Sequence, residues 1–407
     1  MNEQKLKDQI KNLGGSLYQV GGCVRDSLLN RPFNDIDYVV EGVATQTLAK
    51  EFGEPVGHDF PVFLVNVDGE SRELAMARIE KSLGDGYHDF SVEVNGVTLE
   101  QDLSRRDLTI NAMAWDGRKI IDPFNGQRDL ASKKLRHVSQ AFQEDPLRIL
   151  RVGRFAAQLG FEVSQETKDL CKKMKPMLTE IPGDRIVKEL DKVLLSPFPS
   201  RFFDFLLEVD CLDVHFPEIQ ALLVPDKHDG TAYRHVMNLL DRAKGRFDLK
   251  ILYGLLLHDL GKGVTPAENH PSHYNHDKLG IELVREFGLR NRLPSSIRKF
   301  SEQCSEFHLV LRKVPEMKPG KALKYLLKKD IEDLMLVAFL DAVYRDGADP
   351  VVEADLYADM KRLYSLAKET EQEIRGDEIV ALGYKGKQIG DILLMKRIEL
   401  FKTKLSG

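Results

Sequence analysis

The 407-residue chain is poor in the features that would tie it to a membrane, an oxidising compartment or a polyanion. Its four cysteines, Cys23, Cys171, Cys211 and Cys304, are scattered, with no Cys-x-x-Cys spacing. That excludes a disulfide framework and predicts reduced thiols in a cytoplasmic protein. Long apolar runs are missing. The longest, around Ile251 to Leu257, ends at His258 and Asp259, well short of the ~20 residues a membrane helix needs, so no membrane association is expected. The opening stretch Met1 to Asp8 is polar and predicts no signal peptide. A basic excess is absent too. The formal net charge is −5, so overall charge does not announce a nucleic-acid partner. Internal repeats and low-complexity tracts are also lacking. What remains is ordinary globular composition, 42% hydrophobic and 30% charged. The length calls for roughly two to four domains.

Local patterning divides the chain. Residues 16 to about 125 hold short strand-like runs, among them Leu17–Val20, Asp37–Val40, Val62–Val67, Glu73–Met76 and Phe90–Val94, separated by Gly, Asp and Pro turns. Asp68–Gly69 between two such runs predicts a hairpin. Beyond Asp122–Pro123 the period becomes helical and stays so. A helix is expected from Glu144, with Asp145 as N-cap and Pro146 in the first turn. From Arg312 to Lys329, Arg312, Lys313, Lys318, Lys321, Lys324, Lys328 and Lys329 face only one acid, Glu316. Alone, this reads as a solvated helix surface; with RNA as partner it becomes a candidate backbone contact.

Two short motifs carry the first chemistry. Gly21–Gly22 opens GlyGlyCysValArgAsp, and Asp35-Ile-Asp37 follows. A Gly-Gly turn at the start of a helix exposes backbone N–H groups that suit phosphates. Asp35 and Asp37 lie two apart in a strand-like segment, so strand period predicts both carboxylates on one face. Paired carboxylates suit a pair of divalent cations, which stabilise the attacking and leaving oxygens of nucleotidyl transfer.

In this order the motifs resemble the class II tRNA nucleotidyltransferases: the CCA-adding enzymes and bacterial poly(A) polymerases of the polymerase-β-like superfamily. Further motifs follow in family order. Glu73 is the candidate third carboxylate. Arg105-Arg106-Asp107, before LeuThrIleAsnAla, resembles the motif that contacts ribose. Asp122 to Gly126 resembles a hinge. Glu144-Asp145-x-x-Arg148 matches the motif whose Asp and Arg select CTP and ATP without a template. Asp145 and Arg148 are three apart at a helix start, leave from one face and can present a fork of acceptor and donors to a base edge. Arg151 and Arg154 follow on that helix. Gly21, Gly22 and Arg25 complete the nucleotide site that the resemblance implies. Lys81 to Tyr87 reads as a mobile loop, which the resemblance links to the change from CTP to ATP.

A second chemistry follows at His258-Asp259-Leu-Gly-Lys262, which resembles the HD metal-dependent phosphohydrolase signature. Histidine and carboxylate ligands suit transition metals or Mg²⁺. Superfamily order makes His235 the first ligand and Asp341 the distal one, with Asp346 a competitor. His276 and His308 stand where some HD enzymes add phosphate contacts or a second metal. The whole series resembles the bacterial CCA-adding subgroup with a C-terminal HD domain.

That resemblance implies an α+β protein: a small polymerase-β-like sheet domain at the N-terminus, then an elongated all-α region including the HD domain. Expected bounds are residues 1–138 for the head, 139–220 for a helical neck, 221–350 for the HD domain and 351–407 for a helical tail. The implied function is CCA addition to the 3′ end of tRNA from CTP and ATP using Mg²⁺. Added to it is 2′,3′-cyclic phosphodiesterase and phosphatase activity on RNA ends, using Mg²⁺ or a transition metal such as Ni²⁺ or Mn²⁺. Poly(A) polymerase, partial CC-adding or A-adding enzymes, and an HD nucleotide hydrolase with a degenerate head are the competing readings. The sequence leaves monomer and homodimer both open.

Overall fold

The computed structural model describes residues 1–56, 61–82 and 90–406, with side chains of 80–82 and 90–91 left aside. Contacts divide the chain into two compact units, Met1–Ile181 with Arg201–Cys211, and Pro182–Ser200 with Leu212–Gly407.

The first unit is built on a mixed six-stranded sheet. Its strands are β1 (Ser16–Val20), β2 (Asp37–Glu41), β3 (Val62–Val67), β4 (Glu70–Met76), β7 (Ala114–Trp115) and β8 (Ile120–Ile121), in the order β3-β4-β2-β1-β7-β8. β5 (Ile79–Ser82) and β6 (Phe90–Glu93) form a separate antiparallel pair. β1 runs antiparallel to β2 with Val20 opposite Asp37, and β2 runs parallel to β4 with Tyr38 opposite Leu74. The expected hairpin joins β3 and β4. Asp68 and Gly69 both have positive φ, 54° and 89°, the backbone of a tight two-residue hairpin turn. One face of the sheet buries Leu17, Tyr38, Val40, Phe63, Val65 and Leu74 under Leu6, Ile10 and Leu48 of the helices Glu3–Asn12 and Thr45–Phe52. The other buries Val20, Val39, Ala112 and Ala114 with Leu99 and Leu103.

Two boundaries differ from the sequence reading. β2 begins at Asp37, so Asp35 stands in irregular chain before it, and strand period does not align the two carboxylates. The helix expected from Glu144 runs Leu147–Leu159; Glu144 closes a 3₁₀ turn and Asp145 is extended at φ −130°. Proline at 146 explains the delay. It disfavours helical backbone at the residue before it.

The second unit is helical. Its centre is the buried helix Leu249–Leu257, packed with Ala232–Ala243, Ser295–Leu311 and Ile331–Val343. Leu252, Leu255 and Leu256 are fully buried. No helix among the described residues is long and apolar enough to cross a membrane.

Candidate active sites

In the first unit the candidate nucleotide site gathers at one end of β1, β2 and β4. Gly21 follows β1 with φ 76° and ψ −125° and starts the helix Gly22–Leu28. A Cβ there would lie 2.8 Å from Arg106 Nη1, the movable end of a side chain, so it is the positive φ that requires glycine. Asp37 sits beside this turn through its pairing with Val20. The parallel register carries Glu73, adjacent to Leu74, to the same end of the sheet. Asp35, Asp37 and Glu73 are all exposed. Loss of surrounding water, then the charges of Asp35 and Glu73, push the Asp37 carboxyl above its ordinary value, with Arg106 opposing. Three mutually repelling carboxylates at an open sheet end fit a site for divalent cations.

Behind this end a hydrogen-bonded chain joins three distant segments. Arg25 donates from Nε and Nη2 to Asp26 at 2.9 and 2.7 Å, and from Nη1 to Asn111 Oδ1 at 2.6 Å. Asn111 Nδ2 donates to Asp107 Oδ1 at 2.9 Å, and Arg151 Nε donates to Asp107 Oδ2 at 2.8 Å. Asp107 is buried; although burial alone opposes ionisation, Arg151 and Asn111 hold its carboxyl far below the usual range. Arg105 and Arg106 both pair with the fully buried Asp102, at 2.6 and 3.2 Å. The guanidinium carbons of Arg154, Arg25 and Arg151 lie 4.0, 5.1 and 5.7 Å from the ring centre of Phe155, within cation–π range. Asp145 accepts from the Leu147 backbone N–H at 2.9 Å, and buried Arg148 donates from Nη1 to the Ala141 carbonyl at 2.7 Å. The hinge-like stretch is a tight turn in which Asp122 accepts from the Gly126 and Gln127 N–H groups. Asp102 and Phe155 carry no motif signal, and although Asn111 stands inside the LeuThrIleAsnAla stretch, its bond to Arg25, 86 residues away, does not show in the sequence.

Lys81 and Ser82 of the expected loop fall in β5; residues 83 to 87 lie outside the described residues.

In the second unit six predicted residues converge. His235, His258, Asp259 and Asp341 bring one ligand atom each to within 4.8 Å of one another, and all are buried; Asp259, His276 and His308 do the same. Asp259 belongs to both groups. Its Oδ2 is 3.3 Å from His258 Nε2, while its Oδ1 is 3.2 and 3.6 Å from the Nε2 atoms of His276 and His308. Three imidazoles are oriented by backbone carbonyls that take the Nδ1 proton: His258 by Leu255 at 2.9 Å, His276 by His273 at 2.7 Å, His308 by Ser305 at 2.9 Å. Each therefore turns its Nε2 toward the site, the nitrogen that ligates an ion once that ion takes the place of its proton. His258 Nε2 is buried with no hydrogen-bond partner. That orphan, two carboxylates and imidazole nitrogens already turned inward fit a divalent ion. Burial opposes the ionisation of Asp259 and of Asp341; His258 and Lys262 outweigh it for Asp259, and His235 and His258 for Asp341, so both stay well below the usual range. Lys262 Nζ lies 2.8 Å from both Asp226 and Asp259, and Arg345 is 3.0 Å from Asp341. Asp346 stays outside the cluster, pairing with Arg242 at 3.4 Å. Gly261 lets the turn pack under the next helix, since a Cβ there would meet the His276 carbonyl at 2.0 Å.

Of the basic stretch, Arg312 is committed to Glu353 through two bonds of 2.6 and 2.9 Å, whereas Lys318, Lys321, Lys324 and Lys329 are exposed.

Comparison with known proteins places these sites in context. Residues 17–136 match the model described as poly A polymerase head domain, 160–223 that described as "Probable RNA and SrmB- binding site of polymerase A", and 233–346 the HD domain. The multifunctional CCA protein of Pseudoalteromonas atlantica is 40% identical over 96% of this chain and 100% of its own length. That of Pseudomonas fluorescens Pf-5 is 39% identical over 95% and 98%. The crystal structure of the Bacillus stearothermophilus CCA-adding enzyme in complex with CTP superimposes with TM-score 0.70, covering 98% of this chain and 92% of that one. At 22% identity that likeness is one of fold. With two full-length relatives near 40% identity and head and HD models both matched, the chain belongs to the multifunctional CCA protein family.

Proposed function

We propose that the chain adds CCA to the 3′ end of tRNA, taking C and A from CTP and ATP without a template, and that its HD domain hydrolyses phosphate esters at RNA 3′ ends. The observation that carries the first activity is the gathering of Asp35, Asp37 and Glu73 at the sheet end beside Gly21. Two Mg²⁺ ions, when bound, would stabilise the attacking hydroxyl oxygen and the departing pyrophosphate. Asp35 and Asp37 are the residues to hold them, with Glu73 as third carboxylate. Gly21 and Gly22 offer bare backbone to the triphosphate, and Arg25, Arg151 and Arg154, gathered at Phe155, supply positive charge near it. Arg105, Arg106 and Asp107 form the ribose side. Asp145 stands just outside its helix with a carboxylate for the base edge, and Arg148 supplies the paired donors.

For the second activity His235, His258, Asp259 and Asp341 are the ligands, with Asp259, His276 and His308 able to hold a further ion or a phosphate. The imidazole content favours a transition metal such as Ni²⁺ over Mg²⁺, while the carboxylates also suit Mn²⁺. Four buried thiols, none in a disulfide, fit a reducing cytoplasm.

The test is a paired assay on one preparation. tRNA lacking its 3′ end is incubated with each labelled nucleotide, and RNA ending in a 2′,3′-cyclic phosphate is incubated with metal, chelator and metal add-back. Ordered incorporation of C, C and A is expected; a poly(A) product would overturn the first half. Chelator-sensitive ring opening is expected of wild type and not of His258→Ala. If wild type opens no ring with any divalent ion, the second half falls.

A further inference from the structure

We propose that Asp229 is a positioning residue that selects the imidazole tautomer through which His235 offers a nitrogen to the HD-domain ion. This rests on the reading of His235 as a ligand. His235 differs from the other three histidines of the cluster. Their Nδ1 atoms face backbone carbonyls, whereas His235 Nδ1 lies 2.9 Å from a carboxylate oxygen, Asp229 Oδ2. Its Nε2 faces inward, 2.9 Å from Asp341 Oδ1 and 3.8 Å from Asp259 Oδ2. A carboxylate, being acceptor-only, demands a proton from the nitrogen it faces. Asp341 makes that demand on Nε2 only until an ion that it also ligates takes the proton's place, whereas Asp229 lies outside the ligand set, keeps the proton on Nδ1 and so leaves Nε2 available for coordination.

The surroundings of Asp229 admit an acceptor and nothing else. The carboxylate has no exposed surface. Its other oxygen, Oδ1, accepts from Asn238 Nδ2 at 3.3 Å, and the Asp346 backbone N–H also points at the group. The turn that carries it is closed by the bridge between Pro225 and Thr231, with Thr231 capping the helix that holds His235. Among the described residues, the hydrogen-bond partners of the Asp229 carboxylate, His235, Asn238 and the Asp346 N–H, are all donors.

This yields an unusual order of variants. In Asp229→Asn the amide oxygen goes to Asn238 and Asp346, and the NH₂ turns to His235. An N–H facing Nδ1 forces the ring proton onto Nε2 and closes the ligating nitrogen. Asp229→Ala makes no such demand and leaves both tautomers accessible. The near-isosteric change should thus do more harm than the truncation, which neither lost packing nor lost charge produces.

The test titrates the full chain with Co²⁺, following the visible absorption of the histidine-ligated ion, for wild type, Asp229→Asn, Asp229→Ala and His235→Gln. Asp229→Asn should lose affinity on the order of 10- to 100-fold, and Asp229→Ala clearly less. Wild-type affinity in Asp229→Asn, or an equal loss in both variants, overturns the proposal. Wild-type affinity in His235→Gln overturns the ligand reading beneath it, which separates the two failures. Should either variant not fold, long-range ¹H–¹⁵N spectra of Zn²⁺-loaded wild type decide: the proton of His235 is expected on Nδ1, and a proton on Nε2 refutes the assignment.

Discussion

The Nε2 atoms of His276 and His308 face each other at 3.1 Å, and both rings give their Nδ1 proton to backbone carbonyls. Two bare lone pairs at that distance repel unless a proton or cation stands between them. Asp259 Oδ1 completes the group. Metal analysis after dialysis against Mn²⁺ or Ni²⁺ should find more than one ion per HD domain in wild type and one fewer in His308→Asn. An unchanged count would leave these histidines as phosphate contacts.

Asp35 and Asp37 should each be essential to transfer. Either one changed to Ala should abolish CTP and ATP incorporation while tRNA binding persists, because contacts to the RNA backbone carry most of the affinity. Filter binding and incorporation measured together check this, and normal incorporation by Asp37→Ala would remove the metal-pair reading.

Asp145→Ala should weaken discrimination against UTP and GTP. It also loses the bond to the Leu147 N–H, which should cost about 1 kcal/mol of stability. Competing-nucleotide assays beside urea unfolding separate these effects. A variant that is less stable but equally selective would make Asp145 a cap and nothing more.

Asp107→Asn should lower stability at pH 7 by about 2 kcal/mol, the scale of a hydrogen bond to a charged group. The sign of its pH dependence follows from the depressed carboxyl. The native state binds fewer protons than the unfolded one, so Asp107 contributes in full above its unfolded value, near 3.8. That contribution is lost as pH falls below it. The gap between variant and wild type in urea titrations should stay level from neutral pH to about pH 5 and narrow further down. A gap that widens on acidification would contradict the Asp107–Arg151 pairing.

His258→Ala should abolish the ring opening of 2′,3′-cyclic phosphates and leave CCA addition near wild type, since no residue of the transferase site lies in its unit. Loss of both activities in a folded variant would mean the two sites are coupled.

Much of this was legible in the chain because it was written locally. Alternating apolar residues and the Asp68–Gly69 turn announce β3 and β4, and His258-Asp259 at the end of an apolar helix announces the His and Asp cluster that could hold an ion. Asp341 was placed by motif order, and it stands 2.9 Å from His235 across 106 residues. Two errors were also local in origin. The composition around Asp35 favours strand where the chain is irregular, and the helical pattern from Glu144 overruns a 3₁₀ turn, although Asp145, extended, does cap the helix through the Leu147 N–H. Asp229, Asp226 and Lys262 surround the candidate metal ligands, and Asn111 and Asp102 the candidate nucleotide site. Lys262 and Asn111 sit inside motifs, and Asp102 lies three and four residues before the arginines it pairs with. Asp226 and Asp229 acquire a role through contacts that folding creates, which composition and spacing do not show.

The bonded chain from Asp26 through Arg25, Asn111 and Asp107 to Arg151 also bears on how the protein is made. Synthesis proceeds from the N-terminus, and β1 meets β7 only when residues 114 and 115 have emerged. Asp107 then waits longer for its cation, because Arg151 is still to come. A nascent chain that ends before the helix Leu147–Leu159 holds the whole sheet yet leaves Asp107 with the Asn111 amide and the Leu108 N–H but without the Arg151 cation. Ribosome-stalled chains of increasing length should therefore gain protease resistance in one step, after that helix clears the exit tunnel, and not when the last strand does.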